Sequence, residues 1–258
     1  MKHSLLFVSA ICVGTLLNGC KGKDGDPGPA GPAGPSLTGG IVGFMDTMDE
    51  FGVTQAKNGV TVTLENVTPA VTVTTDASGR YELANVKSGT YTMVYTKPGY
   101  GTIKVQGYPH VGGSQPSFLY TRQLMGVSGT TVTSTAVGPI QGTGANRYRL
   151  ITAALANPSQ SINRGLRAHM FLGTSATVTS ATGVSYFSGS SNGSTSDFYM
   201  EGPALNQQGF ASGSTVYAII YGAPYGYGED SYTDIMTGRR VYTCLNPNGT
   251  RVVSFIVP

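Results

Sequence analysis

Beyond Leu37, apolar and polar residues alternate with a period of two, as strands that bury one face do. Val60, Val62 and Leu64 point one way and Thr61, Thr63 and Glu65 the other; Val71 and Val73 alternate with Thr72 and Thr74 in the same fashion. Asp76-Ala77-Ser78-Gly79 has the residues of a tight turn, and Tyr81 and Leu83 alternate with Arg80 and Glu82 after it, which predicts a hairpin. Ser88-Gly89 gives another reversal before Tyr91, Met93 and Tyr95, and Pro98-Gly99 ends that strand. Residues 40–46 supply an opening strand, and 103–105 and 118–120 closing ones. About seven strands in roughly eighty residues fit one antiparallel sandwich.

The second half continues with longer, less regular elements. Strands are expected around 148–150 and at 168–172, 196–200, 216–221, 241–245 and 252–257. Asn248-Gly249 joins the last two as a predicted hairpin, and Asn192-Gly193 sits in a polar Ser/Gly-rich loop over 188–195. Residues 126–145, dense in Thr, Gly and Ser, form either a first strand or part of the connection between domains, whose boundary is placed near 124. The layout resembles an immunoglobulin-like or fibronectin-III-like sandwich in architecture. The expected fold class is therefore all-β: two antiparallel β-sandwiches, over 38–124 and 125–258.

The N-terminus changes the picture. Lys2 precedes an apolar run from Leu5 to Leu17, too short to span a bilayer but suited to export, and the run closes on Leu17-Asn18-Gly19-Cys20. These residues resemble the lipobox of bacterial lipoproteins. The resemblance implies removal of residues 1–19 and a thioether-linked diacylglycerol on Cys20, which holds the protein on a membrane. Cys12 leaves with the leader, so Cys244 alone remains in the body and no intramolecular disulfide is available. The net charge is +3 for the full chain and near +2 once Lys2 is removed, too small to argue for nucleic acid.

Residues 22–36 read Gly22-Lys23-Asp24, Gly25-Asp26-Pro27, Gly28-Pro29-Ala30, Gly31-Pro32-Ala33, Gly34-Pro35-Ser36, five collagen-type triplets. A single chain of this kind is a stiff polyproline-II spacer of roughly 45 Å; three chains could pair as a trimer stalk. The short run, without a coiled-coil segment beside it, favours a monomer on a spacer, with the trimer as the alternative.

One family resemblance is carried by Gly40-Ile41-Val42-Gly43, Gly59-Val60-Thr61-Val62-Thr63-Leu64, Thr75-Asp76-Ala77-Ser78-Gly79-Arg80-Tyr81, and Val86-Lys87-Ser88-Gly89-Thr90-Tyr91 through Lys97-Pro98-Gly99-Tyr100. Residues 38 to about 121 resemble the carboxypeptidase regulatory-like domain, a transthyretin-like β-sandwich. The resemblance implies an accessory module without catalytic residues, attached in other proteins to peptidases, outer-membrane receptors and surface lipoproteins. The Asp76–Gly79 turn offers one carboxylate, far from the six to eight oxygens Ca²⁺ prefers.

Catalytic constellations are sparse. His110 and His169 lie outside zinc-ligand spacing with Glu, and no Walker loop or dinucleotide fingerprint appears. Gly189-Ser190-Ser191-Asn192-Gly193 matches the nucleophile-elbow pattern, with His169 and Asp197 available to complete a triad, but it lies in a Ser/Gly run rather than between strand and helix. A plain loop is the expectation, with His169 a packed or solvated strand residue. The stretch from Tyr221 to Asp234 is the candidate binding surface: Tyr221, Tyr225, Tyr227 and Tyr232 offer flat faces with polar tips, and Glu229, Asp230 and Asp234 could accept sugar hydroxyls or Ca²⁺. The competing reading packs the tyrosines over a sandwich end and solvates the acids, with Arg239-Arg240 a solvated pair beside them.

The resulting expectation is a lipid-anchored protein of the cell envelope, most naturally of the outer membrane and facing either periplasm or medium. Its role is non-catalytic binding, adhesion or assembly, with a glycan or envelope protein as partner and no cofactor beyond the lipid at Cys20. The alternatives are an accessory subunit of an outer-membrane nutrient-uptake system, or a hydrolase with its site in the C-terminal sandwich.

Overall fold

Alternating Val and Thr bury one face of each strand because β-branched side chains pack well on a pleated surface. The computed structural model describes residues 37–160, 164–187, 190–225, 230–248 and 250–258; the leader, Cys20 and the Gly-x-y run lie outside them. In the first half the alternation gives β1 (Thr38–Met48), β2 (Thr61–Glu65), β3 (Val71–Thr74), β4 (Arg80–Lys87), β5 (Gly89–Thr96), β6 (Ile103–His110), β7 (Ser117–Phe118) and β8 (Arg122–Met125). One sheet has the order β4-β1-β7 with β8 also on β1; the other is β3-β2-β5-β6. The second is antiparallel throughout, whereas β7 and β8 run parallel to β1. Ile41, Met45, Leu83 and Leu124 of one sheet meet Val62, Leu64 and Met93 of the other in the core. Tyr81 and Tyr95 are buried there with their hydroxyls 2.8 Å apart, so each polar tip has its partner.

The turn at Asp76 forms, but the predicted hairpin does not: β3 pairs with β2 and β4 with β1, in opposite sheets. Asp76 Oδ1 accepts the N–H groups of Ser78 and Arg80, which closes the turn locally. Just before it, the buried Thr75 hydroxyl accepts Val60 N–H and donates to the Lys57 carbonyl, pinning the end of β3. The chain then crosses to the facing sheet, where Tyr81 lies opposite Gly43.

The second half holds β9 (Thr131–Gln141), β10 (Tyr148–Ala156), β11 (Arg167–Gly173), β12 (Val184–Phe187), β13 (Ser190–Asn192), β14 (Thr195–Glu201), the short α1 (Gly202–Gln207), β15 (Thr215–Ala223), β16 (Ser231–Thr233), β17 (Arg240–Tyr242) and β18 (Arg251–Ile256). The antiparallel sheets β13-β14-β10-β9 and β12-β11-β15-β18 face each other, and β16-β17 is a separate ribbon. Their core draws Ile151 and Ala153, Met170 and Leu172, Phe198 and Met200, and Val216, Ala218 and Ile220 from the inward faces. Among the described residues no helix is long and apolar enough to cross a membrane.

Three expectations change here. Residues 126–145 divide into a connection and the long strand β9. The Ser/Gly-rich stretch contains β13, paired back on β14 across a turn in which Gly193 has φ +60°, a conformation that favours glycine. The strand expected over 241–245 stops at Tyr242, and β17 and β18 lie in different sheets, so Asn248-Gly249 joins no hairpin. Asn246 redirects the chain: its side-chain amide donates to the Thr130 carbonyl, and its N–H donates to the Gly222 carbonyl.

Both sandwiches belong to one compact unit, Ser36–Pro258. The loop after β1 ties them together. Asp49 Oδ1 accepts the N–H groups of Phe51 and Val53, which shapes the loop so that Phe51 enters the core of the second sandwich. Glu50 Oε2 accepts from Ser128 Oγ at 3.1 Å, Gly129 N at 2.7 Å and Asn157 Nδ2 at 2.8 Å. On another segment, Thr243 Oγ1 donates to the Thr102 carbonyl beside Gly101, where a Cβ would collide with the Cys244 sulfur. Burial pushes the Cys244 thiol up to about 11, so it stays protonated.

Candidate functional site

Strand β11 is covered on both faces. Ala168, Met170 and Leu172 enter the core, while His169 and Phe171 point to the outer face, opposite Tyr221 and Ile219 of β15. A second apolar cluster covers that outer face, formed by Phe171, Val178, Ile219, Ala223 and Leu245 with Tyr217, Tyr221 and Tyr242 against it. His169 stacks on Phe171 at 4.7 Å, and Tyr242 meets both edge-on, at 4.4 and 5.2 Å.

A hydrogen-bond chain runs through the cluster: His169 Nε2 lies 2.8 Å from Ser185 Oγ, which lies 2.9 Å from the Tyr242 hydroxyl. Burial, reinforced by the charge of Arg240, lowers the His169 pKa to about 4, so the imidazole is neutral at pH 7. Beside this chain a recess of about 270 Å³ opens, lined by Phe171, Tyr242, Ser185, Thr182, Arg239 and Arg240, among others. Arg239 Nη2 donates to the Gly183 carbonyl at 3.0 Å and Arg240 Nε to Ser231 Oγ at 2.7 Å. Aromatic rings, hydroxyls and guanidinium groups thus border one small cavity, a combination suited to holding a polar ligand with apolar faces.

The triad that the Gly-x-Ser-x-Gly match would allow, and that its Ser/Gly context argued against, is not assembled. Ser191 lies on β13 opposite Ser196 in a strand-turn-strand, not the strand-turn-helix an elbow needs. Asp197, on β14, accepts the Thr152 hydroxyl at 2.6 Å, whereas His169 belongs to the other sheet.

Nor does the tyrosine-rich stretch form one loop, because its ends are strand. Tyr221, on β15, packs edge-on against Phe171 at 5.8 Å, and its hydroxyl accepts the Ser180 N–H. Tyr225 lies at the junction of the sandwiches, its ring 4.4 Å from the Arg167 guanidinium and 5.1 Å from that of Arg164, and its N–H donates to the Glu50 carbonyl. Asp230 is buried, its Oδ1 accepting the Ser231 hydroxyl. Tyr232, on β16, lines a different recess with Ile103, Lys104 and Arg122. Asp234 Oδ1 accepts the N–H groups of Met236 and Thr237, bonds that hold its carboxyl below the usual range. Tyr227 and Glu229 lie outside the described residues. Among the described residues no three His, Cys, Asp or Glu side chains gather as a metal site.

The first sandwich, with its core and crossing turns placed, can be compared with known proteins. Residues 52–117 match the carboxypeptidase regulatory-like domain. The match to the regulatory-like domain starts after β1 and ends at β7, so β1 and β8 complete that sandwich from outside the matched segment. No curated protein matches the chain. Among solved structures, a candidate carbohydrate-binding protein from Bacteroides uniformis is 15% identical with a TM-score of 0.29, over 85% of this chain and 99% of that one. A DUF3823 family protein from Bacteroides ovatus is 11% identical with a TM-score of 0.28, over 86% and 100%. A type II cohesin–X-dockerin complex from Acetivibrio cellulolyticus contains a chain 23% identical with a TM-score of 0.29; the match covers 34% of this chain and only 58% of that one.

Proposed function

We propose that this chain is a lipid-anchored envelope protein, held at Cys20 and raised on the Gly22–Ser36 spacer, whose second sandwich binds saccharides without chemical conversion. The observation that carries this reading is the recess beside Phe171, Ser185 and Tyr242. Sugars present apolar C–H faces ringed by hydroxyls, and this recess offers ring surface from the half-buried Tyr242, backed by the buried Phe171, next to the hydroxyls of Ser180, Thr182 and Ser185. His169 serves the site by position: neutral, stacked and bonded to Ser185 Oγ, it fixes one hydroxyl of the wall. The leader and Cys20 support the anchor, and the match to an accessory module supports a role without catalysis.

The purified full-length chain in detergent is to be screened against oligosaccharide arrays, with mass spectrometry of its N-terminal peptide. Expected results are retention of a subset of glycans, weakened by Thr182→Ala at little change in melting temperature, and a diacylglycerol mass on Cys20. An array without retained glycans refutes the binding reading, and an unmodified mature Cys20 refutes the anchor.

A further inference from the structure

The recess has a chemical bias that ring surface and hydroxyls alone do not give. Among the described residues its charged lining side chains are Arg239 and Arg240, so the cavity presents two positive groups at one rim. Consecutive residues on a strand point to opposite faces, yet both arginines line the same cavity. The reason is local: β17 begins at Arg240, while Arg239 still belongs to the turn closed by Asp234 N–H on the Arg239 carbonyl and by Gly238 N–H on the Asp234 carbonyl.

Each guanidinium is also held from a different side. Arg239 reaches the Gly183 carbonyl at the entrance to β12, and Arg240 reaches Ser231 on β16 while lying over the Tyr242 ring at 5.6 Å. Anchoring a long side chain beforehand reduces the entropy lost when a ligand binds, and a planar fork matches a carboxylate or sulfate in two parallel bonds. Thr182, Ser185 and Tyr242 line the same cavity, the hydroxyls of the last two 2.9 Å apart.

We infer that the ligand is an acidic saccharide, whose carboxylate or sulfate ester is held by Arg239 and Arg240 while its ring rests against the half-buried Tyr242. This rests on the saccharide-binding reading above and narrows it to one ligand class. The cavity, about 270 Å³, suits a terminal or branch sugar rather than a long run of chain.

The test is calorimetric titration of the full-length chain in detergent with three oligosaccharides of matched length: one bearing uronic acid, one bearing sulfate esters and one neutral. At least one acidic oligosaccharide should bind about tenfold or more tightly than the neutral one, and Arg239→Gln should remove about that factor, the scale of one charge-assisted hydrogen bond. The neutral sugar's affinity should stay within about twofold in that variant, since its contacts do not need the fork. Arg239→Lys should recover part of the loss, and added salt should weaken the acidic complexes alone. Arg240→Gln should act likewise; because Arg240 also packs on Tyr242, the Arg239 variants and the salt series decide the matter if it destabilises the fold. The better acidic ligand identifies the anion. Equal affinity for neutral and acidic sugars, unchanged by Arg239→Gln, overturns the inference and leaves saccharide binding standing. Failure of all three sugars to bind overturns both.

Discussion

Replacing Phe51 by Ala examines how far the two sandwiches share one fate. Phe51 is 7% exposed and comes from the loop after β1, yet its ring packs in the core of the second sandwich with Val132 and Leu166. Truncating a buried Phe to Ala costs about 3–5 kcal/mol, the transfer term plus the cavity left behind. In a unit of about 220 residues each kcal/mol moves the melting temperature by about 2–4 °C, so a fall on the order of 10 °C is expected. The backbone hold should survive, because the Asp49 and Glu50 carboxylates still accept their N–H and amide donors. Val53→Ala is the control: at 41% exposure it should change stability by no more than about 0.5 kcal/mol. Urea denaturation gives the free energies, and amide exchange of β5 and β10 separates the two halves. A Phe51→Ala loss below about 1 kcal/mol would show that the ring does not belong to the core and refute the locked junction.

Two further expectations follow from buried side chains. His169 has a native pKa of about 4 against 6.5 unfolded, so the unfolded chain takes up the proton first; its stabilising contribution is complete above pH 6.5 and is lost as pH falls from 6.5 to 4. Urea midpoints of the wild type should decline over that window with a slope of up to about 1.4 kcal/mol per pH unit, and His169→Gln should flatten it; an unchanged slope in the variant assigns the effect elsewhere. Tyr225→Ser should lower stability by about 1–2 kcal/mol, since it removes the ring between Arg164 and Arg167, and calorimetric melting that leaves Tm unmoved would return Tyr225 to the free surface.

What could be read from sequence was whatever local burial imposes. Val62 and Leu64 announced themselves because one face of β2 is core and the other holds Thr61 and Thr63. The partner of β4 did not, because the turn at Asp76 looks the same whether the chain returns to its own sheet or crosses to the facing one. Strand β9 was ambiguous for a different reason: beyond Val132 its residues are half-buried or exposed, so burial imposes little alternation. The tyrosines left two readings open, binding surface or packing, because a ring with a polar tip serves equally well on a surface and at a junction. The recess was hidden by distance, being built from β11, the entry to β12 and β17, segments that come together only in the fold. One signal was present. The run Ala168-His169-Met170-Phe171-Leu172 carries ring or apolar residues on both faces, which a half-solvated strand would not.

Strand β1 also has a mechanical meaning. It is bonded on both edges, to β4 on one side and to β7 and β8 on the other. Sheet hydrogen bonds lie across the strands, so a pull applied at Thr38 along β1 strains its ladders sideways and together instead of opening them one after another. At its far end the same strand runs into Asp49, Glu50 and Phe51, and the load passes from there into the second sandwich. A pull applied at Thr38 would in this way be carried by a strand bonded on both edges into the second sandwich.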